Sequence, residues 1–550
     1  MRCAVLLLLS ALLAAAQQPA SLVIRNARVW TADPAKPWAE AVAIREGRIV
    51  GVGSNGEIDA RGATRVVDAG GKLLLPGFID AHVHFASGSL GLSSVDLTGA
   101  CTLESIQKRI AVWAAEHPNE PWITGGGWEY NCFPGHRLPT RADLDAVTGD
   151  RPAFLRAYDG HTAWANTKAF AIAGITASTR YEGFGELVRE PETGLPAGAL
   201  KEGAMSLISR HLPAVTDERR LQALRQGLRL AASLGITSLH NASGTPQEVS
   251  LYERLLAENA LTARLLFALS AGANPDPCPQ WRELAQRLRG PMIRISAVKF
   301  MLDGVIESHT AAMLDPYSDD PSTRGSLALD AGAYRNAVAS CAALGFQPWT
   351  HAIGDAAVRT ALDAYAPLRD QRIRPRIEHI ETVHIDDLPR FRELGVVASM
   401  EPIHAYPSTI NVWSKAVGER RLPLSFAWRS LQNAGAPLAF SSDWPASISL
   451  SPIRGIHNAV NRQTIEGEPA GGWLPEQRVD LETALRAYTI GAAWAARVEE
   501  EVGSITPGKR ADLILLDKNL FAIPPAEIHS ARVELTVFDG RVIYPEAEMP

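Results

Sequence analysis

With 550 residues, 46% of them hydrophobic and 21% charged, the chain is long enough for a barrel-sized domain with additions and has the composition of a globular protein with a large core. A formal net charge of -6 without any Lys/Arg block excludes the basic footprint of a nucleic-acid or anionic-membrane binder and favours a small-molecule substrate.

The first element is a targeting segment. Arg2 supplies a positive start, Ala4 to Ala16 is an apolar run too short to span a bilayer, and Ala14-Ala15-Ala16 resembles a cleavage site. This predicts a Sec-type signal peptide over residues 1–16, export to the periplasm or beyond the cell, and no stable membrane span after processing. Cys3 precedes the apolar run, which argues against lipidation. Cys101, Cys132, Cys278 and Cys341 then remain. They are too few for a disulfide framework, although export would permit a bridge, with three possible pairings.

From Ser21 onward short strands such as Leu22-Val23-Ile24 and Ala41-Val42-Ala43-Ile44 alternate with Asn, Asp and Gly turns. The C-terminus repeats the pattern in Leu513-Ile514-Leu515-Leu516 and around the Asp539-Gly540 turn. Neither end holds enough strands for a core of its own. The expectation is therefore one composite β-sandwich from 17–75 plus 497–550, with the two ends meeting in space.

Next comes Pro76-Gly77-Phe78-Ile79-Asp80-Ala81-His82-Val83-His84-Phe85, an apolar strand whose alternation sends His82 and His84 to one face. Two imidazoles side by side can hold a metal, and the pair alone leaves its identity open. The interval from Phe85 to about Leu234 exceeds what one helix needs, so a segment of about 86–234 is expected as an insertion over the site. Seven further apolar strands follow, near Leu239, Phe267, Val298, Trp349, Ile377, Ala398 and Phe440, separated by helical patterns. Eight in all predict an α/β fold, a (β/α)8 TIM barrel over 76–496, with its active site at the C-terminal strand ends. On that rim fall His82, His84, Lys299, His351, His379 and Asp443. Buried without compensation, such groups would cost several kcal/mol, so a bound metal is the economical explanation.

The motifs Pro76 to His84, Val298-Lys299-Phe300-Met301-Leu302-Asp303-Gly304, His351-Ala352-Ile353-Gly354-Asp355, Arg376-Ile377-Glu378-His379 and Ser442-Asp443-Trp444-Pro445, in this order, resemble the amidohydrolase superfamily. Within it the likeness is to the amidohydrolase family 3 branch, which includes N-substituted formamide deformylases. It covers essentially the whole mature chain. The resemblance implies a TIM barrel with a flanking β-sandwich and two divalent metal ions, with zinc the expected metal. His82 and His84 would hold the more buried ion together with Asp443, and His351 and His379 the more exposed one. Lys299, carbamylated by carbon dioxide, would bridge them. An unmodified Lys299 paired with Asp303 or Glu307 is the alternative.

That site implies hydrolysis of a carbon-nitrogen bond other than a peptide bond, of the amide, N-acyl or N-formyl type, by metal-activated hydroxide, with Asp443 passing the proton to the leaving nitrogen. A mononuclear deaminase or cyclic amidase on the same barrel is a second reading. An exported, non-enzymatic ligand-binding or regulatory protein is a third, which a missing ligand would favour, and none is missing. His161 could polarise the scissile carbonyl, or be a loop histidine satisfied by Asp159. Trp128 is expected as a pocket wall. Glu307 and His309, in Val305-Ile306-Glu307-Ser308-His309-Thr310, stand where many relatives carry a serine-rich stretch and an arginine, and are expected to reshape substrate binding. Glu202 and His240 are further pocket candidates, and Arg462 is read as exposed. The sequence leaves a homo-oligomer open.

Overall fold

The computed structural model describes residues 19–545 except 273, 275 and 369. The expected signal peptide, 1–16, lies outside the described residues. Eight strands form one sheet in strict chain order: β1 (Phe78–Val83), β2 (Ile236–Gly244), β3 (Arg264–Ser270), β4 (Ile293–Met301), β5 (Gln347–Ala352), β6 (Arg376–His379), β7 (Val397–Met400) and β8 (Leu438–Phe440). All seven neighbouring pairs are parallel. Beyond β8 the chain reaches back to β1. Asp443 N–H donates to His82 O at 2.8 Å and His84 N–H to Trp444 O at 2.9 Å, which closes the TIM barrel.

The strands read as unbroken apolar runs because helices cover one face while the barrel interior buries the other. Every residue of β1 and of β5 is buried. Inside, the Arg376 guanidinium lies 3.8 Å from the centre of the Trp349 ring and donates to Ala81 O and Ser399 Oγ. That buried platform supports the rim above it.

A four-stranded sheet is built from Arg48–Gly53, Ala41–Arg45, Leu22–Arg25 and Arg65–Asp68. A six-stranded sheet joins Arg541–Tyr544, Val533–Phe538 and Leu513–Leu516 to Leu73–Pro76, Arg28–Trp30 and Trp38–Ala39. Leu74 pairs with Leu515 across its centre, so the two ends of the chain meet there. Ile24, Ile44, Leu74, Leu513 and Val537 share one apolar core between the sheets.

Between β1 and β2 the chain forms another six-stranded sheet, running from Val95–Asp96 to Pro196–Glu202. It carries its own core of Leu155, Trp128, Phe133 and Trp164. The helix Asp217–Ser233, within the segment expected as insertion, instead packs against β2 and the helix Phe85–Gly91 as a barrel helix does. Cys278 is bridged to Cys341, their Cα atoms 5.2 Å apart, while Cys101 and Cys132 are free thiols. Among the described residues no helix is long and apolar enough to cross a membrane.

Candidate metal centre

The site is built on the C-terminal ends of the barrel strands, where alternation and register decide which side chains turn inward. His82, next to last in β1, is fully buried, and two residues on His84 is partly exposed. Their rings stand 5.4 Å apart. Lys299 comes from β4, its Nζ 3.1 Å from His82 Nε2. Pairing of β5 with β6 sets Ala352 opposite His379, and the His351 and His379 rings lie 4.5 Å apart. From beyond β8, Asp443 places Oδ1 3.2 Å from His84 Nε2 and 3.4 Å from His82 Nε2. One nitrogen each of His82 and His379 and one oxygen of Asp443 lie within 4.8 Å of one another. All six ligand-type residues named from the sequence therefore come together.

The donor set fits a divalent cation. Burial holds His82 and His351 well below the ordinary histidine range and takes His379 to about 3, so each presents a neutral ring with a lone pair. His82 donates Nδ1–H to Glu378 at 2.8 Å and His379 donates Nδ1–H to Glu401 at 2.9 Å. Such a carboxylate fixes the tautomer and leaves Nε2 for a metal. His351 turns Nε2–H to Gly304 O at 3.1 Å, which leaves Nδ1. Burial alone would raise Asp443, but His82, His84 and His379 hold it well below the usual carboxylate range. Its Oδ1 is buried with no hydrogen-bond partner among the described residues, an orphan that a cation would satisfy. His379 (φ 76°) and Asp443 (φ 55°) both sit in the left-handed region, which costs about 1–3 kcal/mol each and is held by the surrounding structure.

Lys299 makes no ion pair with Asp303 or Glu307 among the described residues. The Asp303 carboxylate is spent on the backbone N–H groups of Ala312, Ile353 and Gly354. Gly354 is needed there, since a Cβ would stand 2.0 Å from Ala312 O. Burial lowers the Lys299 ammonium below its ordinary value despite the nearby carboxylates.

Above the rim lies a pocket of about 330 Å³, lined by His161, Tyr158, Glu307, Glu381, His404 and Asp443 among others. His161 comes from the insertion. Its backbone N–H does donate to Asp159, as the loop reading anticipated, but its ring Nδ1 pairs with Glu202 Oε2 at 2.9 Å. Against the lowering effect of burial, Glu202 lifts His161 to about 9. The Glu307 carboxylate accepts from Tyr158 Oη at 3.1 Å; burial, then Glu381, pushes it up to about 8.

Other placements differ from expectation. Trp128 does not reach the pocket: its ring packs on Tyr130, Phe133 and Trp164 in the core of the insertion, and its indole N–H donates to Leu155 O. His309 is directed away as well, pairing with Asp319 at 2.9 Å and standing edge-on to Tyr317. His240 lies beside Arg376 inside the barrel. Arg462 is buried between Trp428 and Trp473, not exposed.

Sequence reasoning missed the carboxylates Glu378, Glu401 and Glu381 and the imidazole of His404. His404 has Nδ1 3.5 Å from Glu381, and its ring lies parallel to that of His379 at 6.2 Å. Its buried Nε2 has no hydrogen-bond partner among the described residues and lies 3.9 Å from Asp443 Oδ2. Burial would lower it, yet Glu381 and Glu401 raise it to about 9. The available signal was Glu401 and His404, polar residues directly after the seventh strand.

A family model described as the amidohydrolase family matches residues 65–544. The protein LONG AFTER FAR-RED 3 of Arabidopsis thaliana is 31% identical over 96% of this chain and 92% of its own. The N-substituted formamide deformylase of Arthrobacter pascens is 29% identical over 96% of this chain and 99% of its own. Among solved structures, an uncharacterised metal-dependent hydrolase from Pyrococcus horikoshii superposes with a TM-score of 0.72 at 25% identity, covering 92% of this chain and 99% of that one.

Proposed function

The chain belongs to the amidohydrolase family, and on that footing we propose that it hydrolyses a carbon-nitrogen bond, other than a peptide bond, in a small amide, N-acyl or N-formyl compound. The observation that carries this is the rim itself, where one carboxylate fixes the ring of His82 and another that of His379, and where Asp443 Oδ1, 3.4 Å from His82 Nε2, is buried with no hydrogen-bond partner among the described residues. In this reading His82, His84 and Asp443 hold one divalent ion, His351 and His379 a second, and zinc is the metal. Lys299, as a carbamate, would add a carboxylate ligand to these; burial lowers its ammonium below the ordinary value, which favours the free amine that adds carbon dioxide. We read the two terminal sheets as a composite β-sandwich flanking the barrel.

When bound, such cations would polarise the scissile carbonyl and bring the pKa of water down toward about 7. Asp443 takes the proton of the attacking water and returns it to the leaving nitrogen, so no serine or cysteine nucleophile is needed. His161 and His404, charged by Glu202 and Glu381, donate from Nε2 to the oxygen on which negative charge develops. Tyr158, Thr409 and Glu307 line the remaining wall of the pocket.

Elemental analysis of wild type and Lys299→Ala, expressed with bicarbonate, tests the centre. About two metals per chain, falling sharply in the variant, is the expected result, and one metal in both would instead favour a mononuclear deaminase or cyclic amidase. A panel of N-acyl amino acids, N-formyl amines and short peptides tests the bond, and flat rates across it with the metal in place would overturn the amidase reading. Export through the segment 1–16 is part of the proposal. Fractionation and sequencing of the mature N-terminus check it, and an intact Met1 in the cytosolic fraction would defeat it.

A further inference from the structure

Two cysteines with no part in the metal centre face each other in the insertion. Cys101 lies in the loop before the helix Leu103–Glu116, and Cys132 ends the turn Tyr130–Cys132. The two sulfurs and one Glu129 carboxylate oxygen all lie within 4.8 Å of one another. Cys101 is exposed and Cys132 is buried. The other two cysteines outside the segment 1–16, Cys278 and Cys341, are already bridged. With Cys3 removed in processing, the four remaining cysteines thus fall into two spatial pairs.

We propose that Cys101 and Cys132 are a second disulfide of the mature chain, formed by exchange with an external disulfide. Cys101 reacts first, because it is exposed to a partner and because burial, then Glu129, pushes the Cys132 thiol up to about 12. The Cys101 thiolate attacks one sulfur of the external disulfide, whose S–S bond breaks, and one external thiolate leaves and is protonated. The Cys132 sulfur then attacks Cys101 Sγ as its proton passes by way of the neighbouring Glu129 carboxylate to the second external sulfur, which leaves as a thiol. Two protein thiols are oxidised and one external disulfide is reduced to two thiols. An S–S bond of about 2.05 Å is reached by turning the exposed Cys101 side chain toward its buried partner.

The bond bears on the pocket. Tyr130, two residues before Cys132, places Oη 2.8 Å from Asp159 Oδ2, and Asp159 Oδ1 accepts the His161 N–H. Tying Cys132 to the loop ahead of the helix therefore fixes the wall of the insertion that carries His161. In the cell the exchange requires an oxidising compartment, so its setting rests on the export reading; the pairing itself rests on geometry.

The test uses the full mature holoenzyme treated with oxidised glutathione, followed by digestion without reduction and mass spectrometry. The expected result is a peptide pair joined through Cys101 and Cys132, with loss of both free thiols in a dithionitrobenzoate titration. Cys101→Ser, altered at an exposed position, should then show one free thiol that oxidised glutathione cannot remove except as a mixed disulfide. Two thiols that stay free, or become glutathionylated singly, would overturn the proposal. So would a cation held by the pair, seen as one zinc per chain that persists in Lys299→Ala and is lost in Cys101→Ser. Failure of the amide panel leaves this readout untouched. Joining in vitro by a chain that keeps Met1 in the cytosol would sustain the pair and defeat export.

Discussion

An imidazole at the rim is useful only in one orientation, and for four of them a carboxylate distant in the sequence or on a neighbouring loop stands beside the ring. Glu378 serves His82, Glu401 serves His379, Glu202 serves His161, and Glu381 stands beside His404. If His404 donates to the developing oxyanion, His404→Ala should lower kcat by about 100-fold with metal content unchanged. Loss of metal instead would reassign it as a ligand. Glu248 allows a test of stability apart from the centre. It sits in the first turn of the helix Pro246–Ala257, where burial pushes it up to about 7 and Oε1 has no hydrogen-bond partner among the described residues. Unfolded, it titrates near 4.5, so the folded chain binds the extra proton between these values, and its contribution to stability falls as pH rises through about 7. Glu248→Gln should therefore be more stable than wild type by about 2 kcal/mol at pH 8, with a smaller gap at pH 5.5, measured by urea unfolding.

Among elements, one arginine ties the barrel to the terminal sheet by ion pairs. Arg264, the first residue of β3, donates Nε–H to Asp512 and Nη2–H to Asp539, each at 2.8 Å. Asp512 precedes the strand Leu513–Leu516, and Asp539 follows Val533–Phe538. Arg264→Ala would leave a buried carboxylate without its cation, and a loss of about 3–5 kcal/mol in urea unfolding is expected. The eight barrel strands were legible as apolar runs, because burial on both faces leaves no room for polar alternation. Trp128 shows where local pattern stops. It ends a real strand, but which face of the insertion turns to the pocket depends on sheets packed from distant residues.

At the scale of the whole molecule, the strand that leads into β1 is completed by the other end of the chain. Leu73, Leu74 and Leu75 are fully buried, and Leu513–Leu516 pairs with them. A chain stopped after Arg510 would expose that apolar edge two residues before β1 begins. It should lose cooperative thermal unfolding and bind less than one metal per chain, as read by calorimetry and elemental analysis. Closure of the barrel works similarly, since the backbone of Asp443 and Trp444 bonds to that of His82 and His84, so the eighth strand must arrive before the site exists.

The sequence by itself determined the order of the barrel strands and the six ligand-type residues at their ends. It could do so because a strand buried on both faces, closed by His, Lys or Asp, is a local pattern. The aim of those side chains was decided only by the tertiary structure. His82 and Glu378 are 296 residues apart, and no local signal tells an imidazole which carboxylate will hold it. The same holds for Arg462, caged by two tryptophans that only folding brings beside it, and for the cysteines, where three pairings were open. Chain order records what each segment must bury, whereas which polar groups meet depends on distances that exist only once the barrel has closed.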